Sequence, residues 1–294
     1  MESRKVHVQD GVGNEYDLIE VDGTLFPDYF AEDPVQRLID VKSMTGKDDD
    51  VIIAAYPKAG THWVWEIANM LLQGSAEYHT SMKEAQMLEL TGSSGADALD
   101  SPRVFNTHLR FGQLPADMIK RNCKIIYVTR NPKDMAVSRY CHNVKGSVGY
   151  KGTFTNYLPL YMDGKVAFGS WFDYTIKWNT TLREEKDYPI HTVCYELLKR
   201  DTLNQVQKLA DFLGVKIDQS VLQDICDKCD FNKLKEGYIN SKKLFDEKEN
   251  PLSYTFRKGE IGDWKNWFTV AQNEQFDGAL QTKMAEISKT FIYE

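Results

Sequence analysis

The chain lacks the features that would place it in a membrane, in a disulfide-stapled scaffold or on nucleic acid. No stretch approaches the roughly 20 apolar residues that cross a bilayer, and Met1 to Asp10 has no apolar core of the kind a secretory signal carries. The five cysteines, Cys123, Cys141, Cys194, Cys226 and Cys229, are odd in number and, apart from the last two, far apart. Such usage fits a reducing compartment, so the expected address is the cytoplasm. Cys226-Asp227-Lys228-Cys229 has metal-like or redox-like spacing. Without a second pair it reads as packing at a helix end, and no metal is assigned. Positive charge is also scarce: 36 Lys and Arg face 43 Asp and Glu, a net charge of -7. No global field draws nucleic acid or an acidic polysaccharide, and any anion site must be local.

What the chain does have is apolar material for one substantial core, 42% of 294 residues, and the whole chain, 1–294, is expected to form one domain. The run Val51 to Tyr56 is continuously apolar, as in a central parallel strand covered on both faces. Helical spacing follows at Trp63, Ile67, Met70 and Leu71. Strand, charged turn and helix recur at Lys124 to Thr129 with Arg130-Asn131-Pro132-Lys133-Asp134, and again at Ile190 to Tyr195 with the helical stretch Leu203 to Leu213. Phe168 to Leu182 and the series Phe276, Leu280, Met284, Ile287 and Phe291 add further helices. Strands alternating with helices predict an α/β fold with a central sheet. A polar arm precedes all this, and Leu25 to Phe30 brings aromatic residues to a loop that either caps the core or lines a pocket. Gly92 to Asp97 reads as a flexible loop, and Lys242 to Asn250 as a mobile polar segment before Arg257-Lys258-Gly259.

The turn Tyr56-Pro57-Lys58-Ala59-Gly60-Thr61-His62-Trp63 stands where such folds hold phosphate, between a buried strand and a helix start. It lacks the Gly-x-x-x-x-Gly-Lys-Ser/Thr spacing of a nucleoside-triphosphate loop. Amides at Gly60, Thr61 and His62, the Thr61 hydroxyl and the Lys58 ammonium can still gather around an anion. Read alone, the alternative is a strand-to-helix turn whose lysine merely faces solvent. Arg130, at the end of the second strand, can clasp phosphate with its planar fork, and Ser138 on the next helix can donate to it. The plain alternative pairs Arg130 with Asp134 at the surface.

In combination and order, five segments resemble the cytosolic sulfotransferase family: Tyr56 to Thr61, Thr107-His108-Leu109, Arg130 to Asp134, Phe168-Gly169-Ser170-Trp171, and Arg257-Lys258-Gly259-Glu260-Ile261-Gly262-Asp263-Trp264-Lys265. The resemblance covers nearly the whole chain. It implies a parallel sheet flanked by helices, a P-loop-like nucleotide site, and 3'-phosphoadenosine-5'-phosphosulfate (PAPS) as donor with the desulfated nucleotide PAP as product, without a metal. Lys58, Ala59, Gly60, Thr61 and His62 would surround the phosphosulfate, and Trp63, Tyr195, Cys229 and Phe231 the adenine. Arg130, Ser138, Arg257, Lys258 and Gly259 would hold the 3' phosphate. His108 matches the general base, Lys58 the group that stabilises the leaving oxygen, and Ser138 a partner that restrains Lys58.

Two positions depart from that pattern. Asn106 stands where lysine is usual, which removes a positive charge and predicts a slower step or a narrower acceptor range. His62 replaces a threonine but keeps its backbone N–H. For the acceptor, the resemblance implies an apolar pocket with Phe26, Tyr29, Phe30, Met87, Asn106, His108, Phe111, His142 and Phe154 as lining, residues 1–45 contributing as a peripheral arm. Phenols, aliphatic alcohols and amines all stay open. Lys265, Thr269, Val270 and Glu274 match a dimerisation patch, against ordinary packing ahead of the last helix. Two other functions compete: an adenosine-phosphate kinase, which needs a fuller phosphate loop and magnesium-binding carboxylates, and a nonenzymatic nucleotide or lipophile binding module on the same fold.

Overall fold

The structure is a computed structural model and describes residues 2–28, 30–146, 148–240, 256–288 and 290–294. Four strands make the central sheet: β4 (Val51–Ala55), β5 (Val104–Thr107), β6 (Lys124–Thr129) and β7 (Ile190–Cys194). All pairings are parallel, in the order β5-β4-β6-β7. The chain leaves β4 for β5 on one side and returns to β6 on the other. That reversal opens a crevice at the carboxyl end of β4, where α/β folds bind ligands. Every residue of β4 is buried, which accounts for its unbroken apolar run.

Helices cover the sheet, including Thr61–Gln73, Pro132–Lys145, Trp171–Glu184 and Thr202–Leu213. Asn131 caps the Pro132 helix by accepting from the Lys133 and Asp134 amides, and Pro132 occupies a first-turn position that needs no N–H partner. A bidentate ion pair holds the amino-terminal ends of β4 and β5 together: Arg103 Nε donates to Asp50 Oδ1 at 2.7 Å and Nη2 to Oδ2 at 2.6 Å, both side chains fully buried. Among the described residues, no helix is long and apolar enough to cross a membrane.

The amino-terminal residues form a three-stranded antiparallel sheet rather than an arm and loop: β1 (Ser3–Gln9), β2 (Glu15–Val21) and β3 (Thr24–Pro27). Asp22 and Gly23 join β2 to β3 with φ of 50° and 69°, the two-residue hairpin turn for which Asp-Gly is suited. Tyr16, Leu18, Val21 and Phe26 belong to the same hydrophobic core as the central sheet. Gly92 to Asp97 also differs from the expected loop. The helical segment Leu88–Asp97 breaks only at Gly92, φ 66°, and resumes with the Ser93 amide and hydroxyl bonded to the Asp40 carboxylate. The proposed Lys242 to Asn250 segment lies outside the described residues, as does Tyr29.

Candidate functional site

Four chain segments meet at the carboxyl edge of the sheet because each directly follows a strand: Tyr56 to Gly60 after β4, His108 after β5, Arg130 after β6 and Tyr195 after β7. They line one cleft of about 880 Å³. Lys58 takes the left-handed backbone region, φ 75°, a conformation that costs a non-glycine residue on the order of 1 kcal/mol. The surroundings hold it there, with Arg130 Nη1 donating to the Lys58 carbonyl at 3.1 Å. Gly60 has φ 106°, and a Cβ there would lie 2.7 Å from the Tyr195 ring. Only glycine fits this approach. The Arg130 guanidinium in turn stacks 4.1 Å from the centroid of the Tyr195 ring.

Lys58, Gly60, Thr61, His62, Trp63, Arg130, Ser138, Tyr195, Cys229, Phe231, Arg257, Lys258 and Gly259 all line this cleft. Ala59 does not: it is buried beneath the turn, where its amide donates to the Tyr56 carbonyl at 3.2 Å. Thr61 Oγ1, Trp63 Nε1 and Arg130 Nε are buried without hydrogen-bond partners, an arrangement that a ligand rich in oxygen acceptors would satisfy. Arg257 and Lys258 reach the two carboxylate oxygens of buried Asp263 at 2.5 and 2.6 Å. Although burial opposes it, Lys258, Asn266 and Arg257 hold the Asp263 carboxyl well below the usual carboxylate range. Its charge prepositions both cations. His62 Nε2 lies 2.9 Å from Glu84 Oε1, so its ring is held by a carboxylate and is not free in solvent.

His108 Nδ1 lies 2.7 Å from the Ala55 carbonyl oxygen. A carbonyl can only accept, so Nδ1 carries a hydrogen and the neutral ring keeps its lone pair on Nε2. Burial, Lys83, Arg139 and Lys58 drive the His108 pKa down to about 3, against the Ala55 contact. The His108 amide donates to Glu89 Oε1 at 2.6 Å. Burial pushes Glu89 up to about 7. Lys58 falls to about 7 through burial and the neighbouring charges of Arg139, Lys83 and Arg130. Several basic side chains thus surround a neutral imidazole and lower the pKa of Lys58 among them.

Lys83 was not legible as a site residue. It lies on a short 3-10 turn, Lys83–Gln86, and lines the cleft with its side chain 4% exposed. Its Nζ donates to Asn106 Oδ1 at 2.9 Å, while Asn106 Nδ2 donates to the Lys83 carbonyl at 2.7 Å. A cation from another element thus stands beside the Asn106 amide. Asn106 itself is fully buried and does not line the cleft.

On the remaining wall, Phe30, Met87 and His142 line the cleft as expected, joined by Pro27, Leu90, Val148 and Phe168. Three aromatic candidates do not reach it. Phe26 is fully buried behind Phe30, their rings stacked 4.3 Å apart. Phe111 packs against Trp178 and Tyr188, and Phe154 against Trp267 and Phe268. Cys229, fully buried, brings its Sγ to 3.7 Å from Met70 Sδ. Among the described residues no group of three or more His, Cys, Asp and Glu could hold a metal ion.

Residues 48–288 match the family model of the sulfotransferase domain. The chain belongs to the cytosolic sulfotransferase family. It is 36% identical to human sulfotransferase 1C2 over 297 residues, covering 96% of this chain and 98% of the relative. Mouse sulfotransferase 1B1 is 35% identical over 273 residues, 87% and 88% of the two chains. The crystal structure of mouse sulfotransferase SULT7A1 complexed with PAP superposes with a TM-score of 0.74 at 28% identity, covering 92% of this chain and 95% of that one. This sulfotransferase therefore carries the family's α/β fold, and the cleft lies where its strands end.

Proposed function

We propose that this sulfotransferase moves a sulfuryl group from PAPS to the hydroxyl of a small lipophilic phenol or alcohol, with His108 as general base and PAP as product. The observation that carries the reading is the His108 tautomer: Nδ1 is tied to Ala55 at 2.7 Å in a side chain that lines the cleft, leaving Nε2 to accept the acceptor's proton.

The residues present fit the donor. The unpartnered Thr61, Trp63 and Arg130 atoms and the cradle at Gly60 support it, as does the PAP bound by the mouse relative of like fold. When bound, the donor supplies an electrophilic sulfur and a phosphate leaving group. Lys58, with the amides of Gly60, Thr61 and His62, would take the phosphosulfate end. Trp63, Tyr195, Cys229 and Phe231 would enclose the base, and Arg130, Ser138, Arg257, Lys258 and Gly259 the 3' phosphate. Lys58 would neutralise the negative charge that develops on the leaving oxygen between sulfur and phosphorus, Lys83 adds a second positive charge to the cleft, and Ser138 would restrain Lys58 until acceptor arrives. Phe30 and Met87 present the apolar surface to the acceptor, as residues of one domain whose amino-terminal 1–45 shapes that end of the cleft.

Lys265, Thr269, Val270 and Glu274 are all exposed, Val270 by 76%, and we extend the proposal to a homodimer through this patch, working in the cytoplasm. Val270→Glu should shift sedimentation from dimer to monomer; an unchanged dimer would remove the patch from the account. For the activity, the test is mass spectrometry of purified protein incubated with PAPS and a panel of phenols, alcohols and amines. A sulfated phenol or alcohol is expected. Measurable PAP binding with no product from any acceptor would favour the binding module instead.

A further inference from the structure

Arg139 is a buried cation in the cleft that neither the donor cradle nor the proton transfer uses. It is 5% exposed, lines the cleft beside His108, and lies one residue past Ser138 on the Pro132–Lys145 helix. Nη2 donates to the Ala167 carbonyl at 3.1 Å. Nε is buried with no partner. Among the described residues no carboxylate pairs with it. Of the acids in this part of the cleft, Glu84 is engaged by His62 at 2.9 Å and Lys83 at 3.4 Å, and Glu89 by the His108 amide at 2.6 Å.

A buried guanidinium held by neutral oxygens alone leaves its charge uncompensated, which is costly unless a ligand supplies the counter-charge. Arg139 does not stand by itself. With His142, Asn143 and Gly146 it makes an i, i+3, i+4, i+7 series, and all four line the cleft. Asn143 Oδ1 is likewise buried without a partner. This polar stripe faces a cleft whose other lining includes apolar Phe30, Met87, Leu90, Val148 and Phe168. A purely lipophilic acceptor would leave Arg139 Nε and Asn143 Oδ1 unsatisfied.

We propose that the acceptor of this enzyme is a hydroxylated lipophile that also carries a carboxylate, bound by Arg139 while its hydroxyl meets His108. The inference rests on the reading of the cleft as a sulfuryl-transfer site. The guanidinium takes the carboxylate through its planar fork, and the hydrocarbon between the two groups lies on the apolar wall. Arg139 selects the acceptor, and toward the transfer it acts only through its charge, which adds to burial in lowering the pKa of His108 and Lys58.

The test is calorimetric binding to the full chain saturated with PAP, which needs no turnover. The probes are para-hydroxybenzoate, para-hydroxyphenylacetate and para-hydroxyphenylpropionate, each beside its primary amide. The wild type should bind at least one acid about tenfold or more tightly than its amide, the range of a charge-assisted hydrogen bond. Arg139→Gln should erase that preference while PAP affinity, compared at about pH 6 where Lys58 is protonated in both proteins, stays within about twofold, and Arg139→Lys should keep part of it. Equal binding of every acid and its amide would overturn the proposal, as would a preference that survives Arg139→Gln. Weaker PAP binding in Arg139→Gln and Arg139→Lys alike would assign the residue to the donor and likewise overturn it. Transfer of sulfate to neutral phenols, measured alongside, reports on the sulfotransferase reading separately: it can succeed while the acid preference fails.

Discussion

Lys83 and Asn106 hold each other at two points, the ammonium donating to Oδ1 at 2.9 Å and Nδ2 donating back to the Lys83 carbonyl at 2.7 Å. The amide thus orients a cation from another element. Lys83→Gln should lower single-turnover transfer by about 10²-fold to 10³-fold, the scale of losing one preorganised charge-stabilising group. Asn106→Lys should give no gain in the wild type, because a second ammonium would meet the first. In the Lys83→Gln background the same change should restore much of the rate. Rapid-quench measurement of all four proteins closes the cycle; independent, additive effects would show that the two residues do not share one charge.

Lys58, lowered to about 7 in the free protein, gives donor binding a pH dependence of definite sign. An anionic ligand favours the protonated amine and raises its pKa, so binding takes up a proton above about pH 7. PAP affinity should therefore fall as pH rises above about 7, by up to about tenfold per unit until the pKa of the complex is reached. Titration calorimetry in buffers of different ionisation enthalpy reads the uptake directly. Lys58→Arg, charged throughout, should abolish this contribution.

Gly60→Ala should damage the cradle without unfolding the protein. The backbone sits at φ 106° and the new methyl would press to 2.7 Å from the Tyr195 ring. Strain of about 1–3 kcal/mol at such a site corresponds to a loss in PAP affinity of roughly five-fold to 150-fold, measurable by calorimetry beside an unchanged far-ultraviolet spectrum.

The Asp50–Arg103 pair is remote from the chemistry and fully buried. Removing one partner strands the other charge, so Asp50→Ala should cost about 3–5 kcal/mol in urea unfolding. PAP affinity at a temperature where the variant is folded should change little.

The sheet was legible where burial on both faces leaves no polar residue, as in β4, and where a strand runs straight into a charged turn, as at Thr129-Arg130. Lys58 and Arg130 followed from the same junctions, because the residues after parallel strands converge on one edge, whereas Cys229, Phe231 and Arg257 to Gly259 rested on the family resemblance and line the same cleft. The amino-terminal sheet was hidden by its exposed β1, although Asp22-Gly23 was a usable hairpin signal. Lys83 left no local trace: its partner is 23 residues away and no motif links them. Aromatic residues misled most, since Phe26, Phe111 and Phe154 have the character of pocket lining yet pack on other rings.

His108 as proton acceptor is the central claim, and single-turnover transfer by His108→Gln, with PAP affinity measured on the same protein, tests it most directly. Loss of the base should slow transfer by about 10²-fold to 10⁴-fold while PAP affinity stays within a few-fold of wild type. Near-wild-type transfer by His108→Gln would contradict the account.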